Sequence, residues 1–209
     1  MSTDEKVFQP EGNYYDKYNT RNPIARRMMQ GYFSALDSLL DIIKKDVHSI
    51  LEAGCGEGEV SFHVFDYFGG KANQEAFDIS QAVIEGTQKR NPKIAFSAGD
   101  IYKVDMGSDH ELVLCCEVLE HMEQPEKVIE RLFLQTSRYL IVSVPNEPVW
   151  RILNMARGKY IKDLGNTPGH IQHWSSGKFI KMFSEFNCRI LEVRKPLPWT
   201  MLLIEKIDI

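Results

Sequence analysis

Residues 49–58 read Ser49-Ile50-Leu51-Glu52-Ala53-Gly54-Cys55-Gly56-Glu57-Gly58. An apolar run ends in three alternate glycines, and a stretch of helical period follows, with Val60, Val64 and Phe68 four residues apart. The pattern is that of a strand turning sharply into a helix. Glycines at such a turn adopt backbone angles closed to other residues and let a ligand approach the chain closely.

Outward from this turn the chain alternates. Further strand candidates lie at 75–79, 93–100, 111–118 and 138–145, with helical stretches between them. In the stretch 124–135, Pro125 suits a first helical turn and Val128, Ile129 and Leu132 share one face. Strands separated by helices imply parallel pairing, because a parallel crossover needs a long connection. Two last strand candidates, Cys188–Lys195 and Thr200–Ile207, flank the short Pro196-Leu197-Pro198 link. A hairpin there makes the final strand antiparallel.

The 209 residues fit one domain spanning 1–209, with two additions to the alternating pattern. Residues 1–45 are expected to form a helical N-terminal cap; 11–45 lack strand signals and carry Tyr14, Tyr15, Tyr18, Arg21, Arg26 and Arg27. Residues 146–174 interrupt the alternation with a short helical piece and a Gly/Asn/Pro loop, expected as an inserted cap. The net charge of −4 argues against a generic nucleic-acid binder, although Arg151, Arg157, Lys159 and Lys162 make this insertion locally basic and suited to an anionic acceptor. No apolar run is long enough to span a bilayer, and no hydrophobic segment opens the chain. The four cysteines form no CxxC pair, and Cys115 and Cys116 fall inside a strand, where inert buried thiols are expected. The chain therefore reads as cytoplasmic, without a zinc site or disulfide framework.

Asp78 closes the second strand, 24 residues beyond Gly54. An acid so placed can grip two ribose hydroxyls. Dinucleotide sites use GxGxxG and seat a pyrophosphate on the helix start. Here the spacing is GxGxG, and Glu57 and Glu59 would repel a pyrophosphate. A cationic sulfonium ligand with one ribose suits the turn better.

Together these residues resemble the class I S-adenosylmethionine-dependent methyltransferases of the type 11/12-like group, in particular the branch with the ubiquinone- and menaquinone-pathway methylases. The likeness is good over 48–145 and looser outside it. It implies an α/β, Rossmann-like, seven-stranded and mostly parallel sheet with its last strand antiparallel and helices on both faces. It also implies cofactor-binding roles. Gly54 and Gly56 form the first motif, and Glu52 lies near the methionyl amine. Asp78 holds the ribose, with Ile79 beside the adenine. Asp100 meets the adenine amino group, and Ile101 packs on the ring. The backbone at Glu117 lines the methionine side. Tyr18 and Arg21 are placed to cover the cofactor, Arg21 near its carboxylate.

Methyl transfer to oxygen needs in-line positioning, exclusion of water and removal of a proton. His170 and His173 fall in the insertion after the fifth strand, where this family builds its acceptor pocket, and are the catalytic candidates. A helical turn over Glu117-Val118-Leu119-Glu120-His121 would gather two carboxylates and an imidazole on one face. Glu117, Glu120, His121 and a downstream His170 thus form a candidate set for a divalent metal, as in metal-binding relatives that include enzymes methylating the terminal 2′-hydroxyl of small RNAs. The metal-free reading is preferred, because Val-Leu-Glu-His also ends the fourth strand in metal-free relatives.

The expected function is S-adenosylmethionine-dependent methylation of a small molecule, at a hydroxyl oxygen, with neither membrane nor nucleic acid as partner. Three alternatives stand beside it: a metal-dependent RNA terminal 2′-hydroxyl methyltransferase, a non-catalytic S-adenosylmethionine-binding protein, and a nicotinamide dehydrogenase, which the glycine spacing disfavours. No Asn/Asp-Pro-Pro-Tyr follows the fourth strand, which argues against nucleobase amino methylation.

Overall fold

The computed structural model describes residues 22–107 and 110–207; Tyr14, Tyr15, Tyr18 and Arg21 lie outside the described residues. Seven strands form one sheet: β1 (Ser49–Ala53), β2 (Asn73–Asp78), β3 (Ala95–Ala98), β4 (His110–Cys116), β5 (Thr136–Pro145), β6 (Cys188–Arg194) and β7 (Trp199–Lys206), in the order β3-β2-β1-β4-β5-β7-β6. The first five pair in parallel, and β7 runs antiparallel to both β5 and β6. Six helices flank the sheet: α1 (Pro23–Ile43), α2 (Glu59–Tyr67), α3 (Gln81–Arg90), α4 (Pro125–Gln135), α5 (Val149–Ala156) and α6 (Ser176–Met182).

The central strands are buried on both faces, so they read as nearly continuous apolar runs. Alternate residues serve opposite cores. Ile50, Leu112, Leu114 and Ile141 face the layer made by α1 and α2. Leu51, Val113, Cys115, Leu140 and Val142 face the layer made by α4 and α6. The expected buried face of α4 is present in Val128, Ile129 and Leu132, with Pro125 in its first turn. Cys115 and Cys116 are buried as expected, and burial pushes the Cys116 thiol up to about 12.

The segment expected as one or two helices contains the single long helix α1 in its described part. Asn22 caps it, accepting from the Ile24 amide at 2.9 Å, and Pro23 occupies its first turn. Met29, Tyr32, Leu36, Leu39, Leu40 and Ile43 recur at helical spacing and are buried on the sheet. His110 opens β4, one residue before the expected strand start, and is buried. Among the described residues no helix is long and apolar enough to cross a membrane.

Strand order reverses between β1 and β4, so the helices after these strands lie on opposite faces. A crevice opens there at the carboxyl ends of the parallel strands. Because β7 is antiparallel, it begins where those strands end; Trp199 pairs with Pro145, the last residue of β5. The hairpin thereby delivers an aromatic residue to the crevice.

Candidate active site

A cavity of about 860 Å³ fills this crevice, within the range of about 300–1,000 Å³ usual for small-molecule sites. One end is built from strand tips. Gly54 and Gly56 follow β1 in left-handed backbone conformation, with φ of 75° and 50°. A side chain at Gly56 would meet nothing within 4 Å, so this turn is an open cradle on the cavity. A Cβ at Gly54 would lie 2.5 Å from Cγ2 of Val118, so the absence of a side chain there lets the turn pack against the segment after β4.

Asp78 lines the cavity at the tip of β2. Its Oδ2 accepts from the Gly56 amide at 2.9 Å and its Oδ1 from the Ser80 amide at 3.1 Å. Ile79 is exposed into the cavity and Ile101 forms part of its wall. Asp100 lies there too. The Tyr102 amide, 3.0 Å from its Oδ1, and the Lys103 ammonium hold its carboxyl below the usual range.

Three expectations need correction. Glu52 does not line the cavity. It is buried beneath the turn, where its carboxylate accepts from the Ser61 hydroxyl, and burial pushes its pKa up to about 8. It sits on β1 facing α2, so the strand's alternation turns it away from the cavity. Glu59 does not confront a ligand either. Arg90 of α3 pairs with it at 2.6 Å, and neither Glu57 nor Glu59 reaches the cavity. Their repulsion therefore gives no strong argument against a pyrophosphate.

The third correction concerns Glu117. The chain after β4 does not turn straight into an α-helix. Glu117 takes a left-handed conformation with φ of 61°, and only Leu119–His121 form a short 3-10 turn. Glu117 consequently leaves the proposed ligand face. Its Oε2 accepts from the Trp199 indole at 2.6 Å, and its Oε1 from the Ser143 hydroxyl at 3.2 Å. Ser143 in turn meets the Tyr32 hydroxyl at 2.9 Å. This network joins β7, β5 and α1 behind the cavity wall. Glu117 still lines the cavity, as its expected cofactor role requires.

Glu120, His121 and His170 do come together. One ligand-capable atom from each lies within 4.8 Å of the others. The main-chain oxygen of Glu120 accepts from the Ile171 and Gln172 amides, both at 3.0 Å, which docks the insertion's loop onto the 3-10 turn. Nδ1 of His121 lies 2.9 Å from the Gly169 carbonyl, which accepts its proton when that nitrogen carries one. The His170 ring stacks on Trp150, at 5.9 Å between centroids and 27° between planes. His173 does not join them. It is exposed, 2.7 Å from Oδ1 of Asn166, and lies outside the cavity wall.

The other end of the cavity is aromatic and basic. The insertion supplies Trp150, Leu153, Arg157, Lys159 and Tyr160; α1 supplies Met28 and Met29; the hairpin supplies Trp199. Trp150 and Trp199 escape sequence reading as site residues. Their signal is positional. One sits in the helix that follows β5, the other opens the antiparallel strand β7, and both positions fall at the carboxyl edge of the parallel strands.

The methyltransferase-domain family model matches residues 24–193. No curated protein matches the chain. Similar solved structures include magnesium protoporphyrin IX methyltransferase from Synechocystis PCC 6803 with bound S-adenosylhomocysteine. That enzyme is 18% identical over 90% of this chain and 89% of its own, with a TM-score of 0.67. The plantazolicin methyltransferase BpumL, in complex with a desmethyl-plantazolicin analogue and S-adenosylhomocysteine, is 14% identical over 90% and 92%, with a TM-score of 0.70. The methyltransferase domain of a bacterial CtHen1 is 18% identical over 85% and 99%, with a TM-score of 0.62. At these identities the likeness is one of fold.

Proposed function

This chain belongs to the class I S-adenosylmethionine-dependent methyltransferase family, and from that premise we propose that it methylates a small-molecule acceptor at a hydroxyl oxygen. The observation that carries the reading is the two-ended cavity. Strand-tip acids and an open glycine cradle form one end, and an imidazole on an aromatic wall stands at the other.

When bound, S-adenosylmethionine supplies a methyl group made electrophilic by its positive sulfur. The chain's residues do the rest. Asp78 offers the remaining lone pairs of its two anchored oxygens to the ribose hydroxyls. Asp100, held ionised, accepts from the adenine amino group between Ile79 and Ile101. Gly56 lets the backbone approach the ligand, and Gly54 lets the turn pack on Val118. His170 takes the acceptor's hydroxyl proton as the oxygen–methyl bond forms and the methyl–sulfur bond breaks. The apolar wall of the insertion excludes water. His173 is left with a structural role beside Asn166.

The test is a screen of phenolic, alcoholic and carboxylic acceptors with methyl-labelled donor, on wild type and His170→Ala. Label should reach an acceptor hydroxyl. The variant should bind the donor normally but transfer label at least about a hundredfold more slowly. Transfer unchanged in the variant overturns the assignment of the base.

A second reading is favoured by the meeting of Glu120, His121 and His170. One carboxylate and two imidazoles suit Mn²⁺ or a similar ion, with Mg²⁺ held less firmly by the nitrogens. An ion there would lower the pKa of the acceptor hydroxyl, with His170 as ligand instead of base. A terminal ribose of RNA is one acceptor this reading admits. Salt-sensitive RNA binding would separate it from a small molecule.

A further inference from the structure

The insertion's helix α5 presents a graded stripe to the cavity. Trp150, Leu153, Asn154 and Arg157 stand at i, i+3, i+4 and i+7, a single helical face, and all four line the cavity. Trp150 marks the His170 end of the stripe. Arg157, seven residues on, caps the helix, and its guanidinium folds back onto Asn154. The stripe thus runs from an imidazole past Leu153 and Asn154 to a guanidinium.

Arg157 is held in place. Its Nη2 donates to Oδ1 of Asn154, a buried amide whose Nδ2 donates to the Gly165 carbonyl at 2.9 Å and to Oγ1 of Thr167 at 3.1 Å. Lys159 follows on the same cavity wall. Neither cation forms an ion pair among the described residues. The cavity's acids stand elsewhere, on the strand tips and the turn at 117–120. A chain of net charge −4 therefore keeps two uncompensated cations at the end of its cavity farthest along α5 from His170.

We propose that the methyl acceptor is an elongated, largely apolar organic anion, lying along α5 with its carboxylate or phosphate at Arg157 and Lys159 and its reacting hydroxyl at His170. The proposal rests on the methyltransferase reading and sets the class of molecule that reading leaves open. Trp150, Leu153, Tyr160 and Met29 cover the apolar body. Arg157, with Asn154 occupying one of its five N–H groups at most once, keeps donors for an oxyanion.

The experiment uses the full chain saturated with S-adenosylhomocysteine. Calorimetry measures the binding of 4-hydroxyphenyl alkanoates with two to six methylenes, each against its neutral primary amide. One chain length should bind about tenfold more tightly as the acid than as the amide. That preference should vanish in the Arg157→Gln/Lys159→Gln double variant, with S-adenosylhomocysteine affinity unchanged. Equal binding of acid and amide at every length, including no binding of either, overturns the proposal. So does a double variant that loses S-adenosylhomocysteine affinity by a similar factor, since the cations would then serve the cofactor's own carboxylate. Failure of wild type to bind S-adenosylhomocysteine at all removes the underlying methyltransferase reading as well.

Discussion

The Gly56 amide donates to Oδ2 of Asp78 across 2.9 Å, which ties the turn after β1 to the tip of β2. The Ser80 amide fixes the other carboxylate oxygen. Both oxygens of Asp78 are thus held by backbone amides, so the proposed ribose contact would not have to order them on binding.

Asp78→Ala should weaken S-adenosylmethionine binding by about 2–4 kcal/mol, from the charged hydrogen bonds lost. Calorimetry on a variant with wild-type circular dichroism checks this. Unchanged affinity would mean that Asp78 serves the turn and not the ribose.

Gly54→Ala should fail for a reason the sequence does not reveal. Its new methyl would strike Val118 and not the ligand, and the left-handed backbone at φ of 75° adds strain of about 1–2 kcal/mol. Val118→Ala should therefore recover part of the stability lost by Gly54→Ala, leaving the backbone strain. Chemical denaturation of both single variants and the double variant gives the coupling. Strict additivity of the two losses would refute the contact argument.

The strand pattern was readable because each strand of a doubly covered sheet must be apolar on both faces, and Ile50, Leu51, Val113 and Leu140 are. The positions of Asp78 and of the glycine cradle on the cavity were readable because backbone geometry ties them to strand ends. Glu117 was not. A left-handed residue after β4 redirects its side chain, and no local spacing rule anticipates an indole arriving from residue 199. The fate of Glu59 was hidden for the same reason, since Arg90 reaches it from the next helix. The position of His170 in the insertion anticipated that it lines the cavity. What separates it from His173 is Trp150, a long-range contact that spacing cannot express.

Glu52 should make stability fall as pH rises. Its folded pKa is raised to about 8 by burial, so between the unfolded value near 4.5 and about 8 the folded chain holds a proton that the unfolded chain has released. Its protonation stabilises the fold fully at low pH, and this is lost progressively through that window. Glu52→Gln keeps the neutral shape and should flatten the slope, with a gain of roughly one to several kcal/mol at pH 8. Urea titrations at pH 5 and pH 8 measure it. A variant with the wild-type slope would place the titration elsewhere.

Trp199→Phe should cost about 1.5–3 kcal/mol, because Glu117 loses a charge-assisted hydrogen bond within a closed network. Pairing the substitution with Ser143→Ala tests that network. Glu117 accepts from both residues, so the two losses should be less than additive. Additive losses in thermal or urea denaturation would mean that Trp199 contributes through packing alone.

Divalent-ion binding separates the two roles open to His170. If Glu120, His121 and His170 form an ion site, Mn²⁺ should bind the wild type at one site, read by its electron paramagnetic resonance signal without any acceptor present. His121→Ala and Glu120→Gln should each abolish that signal while leaving S-adenosylmethionine affinity largely intact, because the proposed ribose and adenine contacts follow β2 and β3. EDTA should then stop methyl transfer, and added Mn²⁺ should restore the wild type but not the variants. Loss of activity in the variants alone would decide nothing. His121 holds the Gly169 carbonyl, and the Glu120 main chain anchors Ile171 and Gln172, so side-chain changes there also disturb the loop. The discriminating result is rescue. Full activity in EDTA, with no Mn²⁺ bound, leaves the trio as the clamp that seats the insertion on the sheet. His170 on Trp150 is then the base, and the pH profile of kcat should show one ionisation that His170→Ala removes.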